Sequence, residues 1–179
     1  MKRSELEHII RAAGTIVGES EIVVIGSQAI LGQFPDAPGP LIRSAEADVF
    51  PLRHPQLSEQ IDGAIGEGSS FHEQFGYYAQ GVDEETAILP QGWRDRLIRI
   101  DNENTEGKIG LCLESHDLAV SKYIAGRHKD LEFTAELARR GMTKRSTLLQ
   151  RLTGTLHSAL TPDVRKIIEG RIRRDFRQR

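Results

Sequence analysis

The sequence predicts an α/β (α+β) chain with a helical C-terminal appendage, and three observations carry that prediction. The β-branched run Ile22-Val23-Val24-Ile25 stops at Gly26, as a strand buried on both faces stops at a turn. Downstream, Arg43-Ser44-Ala45-Glu46-Ala47-Asp48-Val49-Phe50 alternates so that Glu46 and Asp48 share one side of a strand and Ala45, Ala47 and Val49 the other. From Ser115 onward, apolar residues recur at helical spacing.

Each element has a local reason. Leu6, Ile9, Ile10, Ala13 and Val17 fall three and four apart, which predicts an amphipathic helix over 4–17. Ser4 with Glu7 fits a capping box there, and Gly18 fits the stop. After the strand, Ser27 can cap a helix begun by Gln28-Ala29-Ile30-Leu31. Unpaired N–H groups and a hydroxyl would then point outward and form an anion seat. Phe34-Pro35-Asp36-Ala37-Pro38-Gly39-Pro40 must be a loop, either gating a site or simply connecting two strands. On the second strand, two adjacent acids repel. A bound divalent cation would remove that cost, and hard cations such as Mg²⁺ take carboxylate oxygens together with substrate phosphates.

Pro51 and Pro55 bracket a turn before a helix over 56–65, which Gly66-Glu67-Gly68-Ser69-Ser70 breaks. Strand, helix, strand and helix up to this point read as alternating α/β units. His54 and His72 lack the HxxxH or HxH spacing of a metal pair. Residues 75–82 read as a strand, with Tyr77 or Tyr78 available to stack on a base or to pack. Residues 93–101 alternate as a further strand, and 108–113 complete a hairpin with it. Ser115 can cap the next helix, with Asp117 in its first turn opposite the positive end of the dipole. On that helix Lys122 stands beside small apolar residues, facing either a site or water. Helices over 129–140, 143–156 and 162–176 follow, the last opened by the Thr161-Pro162 cap.

Composition narrows the function classes. The 38% hydrophobic and 28% charged content belongs to a folded globular chain. No apolar run reaches membrane-span length and the N-terminus lacks a signal-peptide pattern, which predicts a cytoplasmic protein. The single cysteine, Cys112, excludes an internal disulfide and a Cys-rich zinc site, and its leucine neighbours predict a buried thiol. Residues 139–179 hold 12 Lys/Arg against 3 Asp/Glu, whereas 1–138 hold 12 against 23. Such a basic tail is a nucleic-acid arm, a clamp onto the acidic body, or a solvated face. There is no GxxxxGK[ST], GxGxxG, GxSxG or HExxH motif, which demotes P-loop ATPases, dinucleotide oxidoreductases, serine hydrolases and zincins.

The Gly26-Ser27 turn after a hydrophobic strand, followed by Glu46-Ala47-Asp48-Val49 with Ser44 two residues ahead, resembles the nucleotidyltransferase superfamily of polymerase-beta-like fold. The signature there is hG[GS] followed by [DE]h[DE]h, and the spacing is that of the AbiEii-like branch and related families of unassigned function. The resemblance covers roughly residues 20–140. One departure is that the first acid, usually Asp, is Glu46. The fold it implies is a small mixed sheet flanked by helices, with residues 1–114 as the core and 115–179 as a helical, basic region packed on it. It also implies that Glu46, Asp48 and a third acid, for which Asp101 is the candidate, hold magnesium. Gly26, Ser27 and Lys122 would then contact the nucleotide, with Arg127 and Asp130 in support. An outward acid on a surface strand would give Asp101 the same sequence pattern.

The function implied is Mg-dependent transfer of a nucleotidyl group from an NTP to a protein or RNA hydroxyl. An interaction module that retains the fold without the catalysis is the alternative. Such a module would act as a toxin–antitoxin-like component with a partner protein on the basic C-terminal helices.

Overall fold

The computed structural model describes residues 1–177 of the chain, so the end of the basic tail, residues 178–179, lies outside the described residues. In order, the elements are α1 (Arg3–Val17), β1 (Glu21–Val24), α2 (Ile30–Gln33), β2 (Glu46–Pro51), α3 (Ser58–Ile65), α4 (Ser70–Phe75) and β3 (Tyr78–Gly81). Then come β4 (Ile98–Ile100), β5 (Ile109–Cys112), α5 (Ser115–Ala125), α6 (His128–Arg139), α7 (Arg145–Thr153) and α8 (Pro162–Asp175). They fall into two compact units: Met1–Thr86 with Leu97–Glu114, and Ala87–Arg96 with the helices from Ser115 onward. The α/β chain with a mixed sheet and a helical C-terminal region is the architecture expected.

In the first unit, one sheet runs β3-β2-β1-β5-β4. The β1–β2 and β4–β5 pairs are antiparallel, and β1–β5 and β2–β3 are parallel. Alternating α/β units predict that β1 and β2 run parallel, and they do not. A parallel return needs a crossover of a dozen or more residues, usually helical. Here α2 is a four-residue turn, and the proline-rich segment after it brings the chain back antiparallel.

Leu6, Ile9, Ile10 and Ala13 of α1 and Ile22, Val23 and Val24 of β1 are all fully buried. Gly110 of β5 lies against Ile10, and Cys112 of the same strand against Gly32 of α2. Gly110 and Cys112 share a face by alternation, so α1 and α2 cover the same side of the sheet. The Cys112 thiol is buried as expected, and burial pushes its pKa up to about 12.

Helix α1 starts two residues earlier than the capping-box pattern implies. Its N-cap is Lys2, whose N–H donates to the Glu5 carboxylate at 2.6 Å, and it ends on left-handed Gly18. Glu7 is therefore available for a buried network, accepting from Arg3 Nε, Asn102 Nδ2 and Asn104 Nδ2, each at 2.8 Å. Burial alone would raise its pKa, but these donors outweigh it and hold the carboxyl below the usual range.

The second unit is tied together by a buried acid. Asp117, 0% exposed, accepts a bidentate pair from Arg96 at 2.8 and 3.0 Å and a further bond from Arg151 Nη1 at 2.6 Å. The Ala87–Arg96 segment, α5 and α7 thus meet on one carboxylate. At the other end of α5, the buried Tyr123 hydroxyl donates to Asp175 of α8 at 2.9 Å. Thr161 caps α8 as expected, accepting from Val164 N–H, with Pro162 in the first turn.

Removing one partner of a buried, hydrogen-bonded ion cluster costs about 3–5 kcal/mol. Asp117→Ala is expected to lower unfolding free energy by about that amount in denaturant titration. A loss below about 1 kcal/mol would show that the two arginines are solvated without it.

Candidate functional site

Register builds the site. The pairs Val24↔Val49 and Val23↔Phe50 place Ile25 opposite Asp48, and Ile25 N–H donates to Asp48 C=O at 3.0 Å. The chain then leaves β1 through Gly26 into a 3-10 turn, Ser27–Ala29. A Cβ at Gly26 would collide with the Asp48 carboxylate. Only glycine leaves room for that acid at the end of β1. The expected helix cap is displaced: Gly26 is the N-cap residue, no side chain caps it, and Ser27 is the first residue of the turn.

Ala47 and Val49 are fully buried, while Glu46 and Asp48 are half-buried. Val24, Val49 and Cys112 are register partners, and Cys112 faces α2. Both acids therefore lie on the opposite face of the sheet. Across the parallel β2–β3 pair, Glu46 is the register partner of Tyr78 and Asp48 of Gln80. The Tyr78 hydroxyl donates to Glu46 Oε2 at 3.0 Å, and Glu46 N–H donates to Ser44 Oγ at 3.0 Å. Burial, then the hydrogen bond and charge of Glu46, then the charges of Glu67 and Asp48 push the Tyr78 phenol up to about 12. The phenol therefore keeps its proton and remains a donor at neutral pH.

Asp101 is not brought to this pair. By alternation it shares their face, but it follows β4, and β5 and β1 stand between β4 and β2. Three strand spacings of about 4.8 Å make that roughly 14 Å. Its carboxylate meets Arg99 at 2.8 Å. Among the described residues, no three His, Cys, Asp or Glu side chains form a group that could hold a metal. Glu46 and Asp48 alone supply two hard oxygen donors, which fits a cation shared with substrate phosphates better than an all-protein cage. His54 pairs with Glu19, and His72 accepts from Gly68 N–H at 3.0 Å.

In the helical unit, Lys122, Arg127 and Asp130 do come together. Asp130 is 1% exposed; Lys122 Nζ reaches its Oδ1 at 3.1 Å and Arg127 Nε its Oδ2 at 2.6 Å. Burial would raise the Asp130 pKa, but Arg127 and Lys122 win and hold it below the usual carboxylate range. The Lys122 ammonium also lies 5.2 Å from the centre of the Phe133 ring, within cation–π range.

Sequence reasoning left Tyr77 and Tyr78 undistinguished. The structure separates them: Tyr77 shares a 2.9 Å hydrogen bond with His8 Nδ1 beside Phe71 and Phe75, while Tyr78 joins the acids. It also gave the Gln28 side chain no role. Two residues past Gly26, the Gln28 side-chain amide is fully buried, with neither atom hydrogen-bonded among the described residues. Such an amide costs about 1–3 kcal/mol. The near-isosteric Gln28→Met is expected to raise stability by roughly 1 kcal/mol in thermal melts; a fall in stability would show that the amide has partners in solution.

A family model described as a nucleotidyltransferase of unknown function (DUF6036) matches residues 4–155. No curated protein and no solved structure matches the chain. The family match includes the Gly26 turn and the β2 acids, and it covers most of the chain. The chain therefore belongs to the family of nucleotidyltransferases of unknown function, DUF6036.

Proposed function

We propose that this nucleotidyltransferase moves a nucleotidyl group from an NTP to a hydroxyl of a protein or RNA, at the end of β1 and β2. The observation that carries the reading is the Asp48 carboxylate lying where a side chain on Gly26 would be, with Glu46 on the same strand face. Glu46 and Asp48 would hold a divalent cation such as Mg²⁺. Such an ion neutralises triphosphate charge and lowers the pKa of the attacking hydroxyl. The first N–H groups of the Ser27–Ala29 turn, unpaired within it, would receive phosphate oxygens. Glycine at 26 keeps that approach open. The acceptor oxygen bonds to the α-phosphorus as the bond to the pyrophosphate oxygen breaks. The chain supplies position and electrostatics rather than a covalent intermediate.

The resemblance also assigns Lys122 to the nucleotide phosphates, with Arg127 and Asp130 in support, Asp130 accepting from both the Lys122 ammonium and the Arg127 guanidinium. A second reading, an interaction module of the toxin–antitoxin kind without catalysis, is favoured by the glutamate at 46 and by the distance of Asp101 from the acid pair.

Calorimetric titration of the four NTPs with and without Mg²⁺ separates the readings. Metal-dependent binding by the wild-type chain is expected, and Asp48→Ala should abolish it while the circular dichroism spectrum is retained. If Asp48→Ala unfolds the chain, Asp48 is a structural acid; if no NTP binds in either condition, the interaction module stands. In the same assay, Lys122→Ala should weaken triphosphate binding roughly tenfold and monophosphate binding less than about threefold. Equal weakening would remove the phosphate role and leave Lys122 as the partner of Asp130.

A further inference from the structure

Glu46 raises a positional problem for the proposed metal site. A glutamate carries its carboxylate one methylene, about 1.5 Å, further from the backbone than an aspartate and has one more rotatable bond. Left alone on a half-buried strand face, it would sample many rotamers, and fixing them costs side-chain entropy. A cation site tolerates little of that, because ligand geometry must be set in advance.

The structure holds this carboxylate. Tyr78 is the direct register partner of Glu46, and its hydroxyl reaches Oε2 at 3.0 Å. The tyrosine is itself braced: the His72 ring lies against it, centroids 4.6 Å apart. His72 is fixed in turn, since its ring Nδ1 accepts from Gly68 N–H at 3.0 Å and its own N–H donates to the Ser69 cap at 3.2 Å. A phenol has only two side-chain torsions, so a braced ring delivers its hydroxyl to one place. The chain Gly68–His72–Tyr78–Glu46 thus runs from the N-terminus of α4 across β3 to the acid.

We propose that Tyr78 is a positioning residue for Glu46, its hydroxyl holding Oε2 so that Oε1 is presented to a divalent cation beside Asp48. The inference rests on the metal-dependent reading above and deepens it. Tyr78 lets the longer acid do what an aspartate does unaided. With the hydroxyl gone, Glu46 keeps its charge but loses its fixed direction. An aspartate at 46, shorter by one methylene, would lie beyond the reach of Tyr78 and owe nothing to it.

The test is a double-mutant cycle on Mn²⁺ binding in the presence of NTP, read by calorimetry and by the spin-resonance spectrum of bound Mn²⁺. It uses the full chain as wild type, Tyr78→Phe, Glu46→Asp and the double variant. Tyr78→Phe keeps the ring against His72, so melting should shift little, while Mn²⁺ affinity falls roughly three- to tenfold and the bound spectrum changes. In the Glu46→Asp background, the same change should alter affinity by less than about twofold. An equal loss in both backgrounds, or none in the wild-type background, overturns the positioning role. Metal binding that disappears in Asp48→Ala but is indifferent to Tyr78→Phe overturns this inference alone. Absence of metal-dependent binding in the wild type removes the metal reading and this inference with it.

Discussion

The missing side chain at Gly26 is the constraint on which the candidate site depends. Antiparallel pairing puts Asp48 opposite Ile25, the residue just past β1, on the sheet face that α1 and α2 do not cover. A carboxylate at that place needs volume, and the backbone of the next residue supplies it by carrying no Cβ. The φ of Gly26 is −76°, which any residue can adopt. The requirement for glycine is therefore one of space and not of backbone conformation. Any larger residue would push Asp48 away or open the β1–β2 pair, and either would separate the turn from the acid.

Buried charge is handled by one device repeated in the helical unit. Asp117 and Asp130 are both within 1% of complete burial, and each is met by two cationic side chains. Desolvation of a lone carboxylate exceeds what one partner returns, so a single ion pair would be weak support for burying it. Two partners and bidentate geometry change that balance. At Asp130 the result is visible in the direction of its pKa, which falls although burial is the largest opposing influence. The two clusters differ in consequence. Asp117 is enclosed and joins three segments, whereas Asp130 is met by an arginine whose side chain is 63% exposed, so a charge of that cluster faces solvent.

Much of this was legible in the sequence, and the reasons are physical. The run from Ile22 and the alternation around Asp48 report burial directly, because strand period and helix period are local properties. Those readings located β1, β2 and the shared face of the acids. Strand order is not local, which is why Asp101 looked like a neighbouring acid and lies two strands beyond β1 in the sheet. Likewise α4 was missed: its six residues follow a glycine-serine break and merge with an aromatic run that reads as strand. The clamp on Asp117 was hidden for the same reason, since Arg96 and Arg151 are distant in sequence and carry no spacing signal.

The glutamate at position 46 is the point at which local and non-local information meet. Read along the chain, it departs from the aspartate pattern and weighs toward a fold that has lost its chemistry. Read across the sheet, it is opposite a tyrosine whose hydroxyl meets the longer carboxylate and whose ring is held by a histidine anchored at a helix start. A structural account would need the Tyr78–Glu46 bond to hold β3 to β2, but the backbone ladder over Glu46–Val49 already does so. What the bond adds is direction for one carboxylate, and direction matters where a ligand must be met.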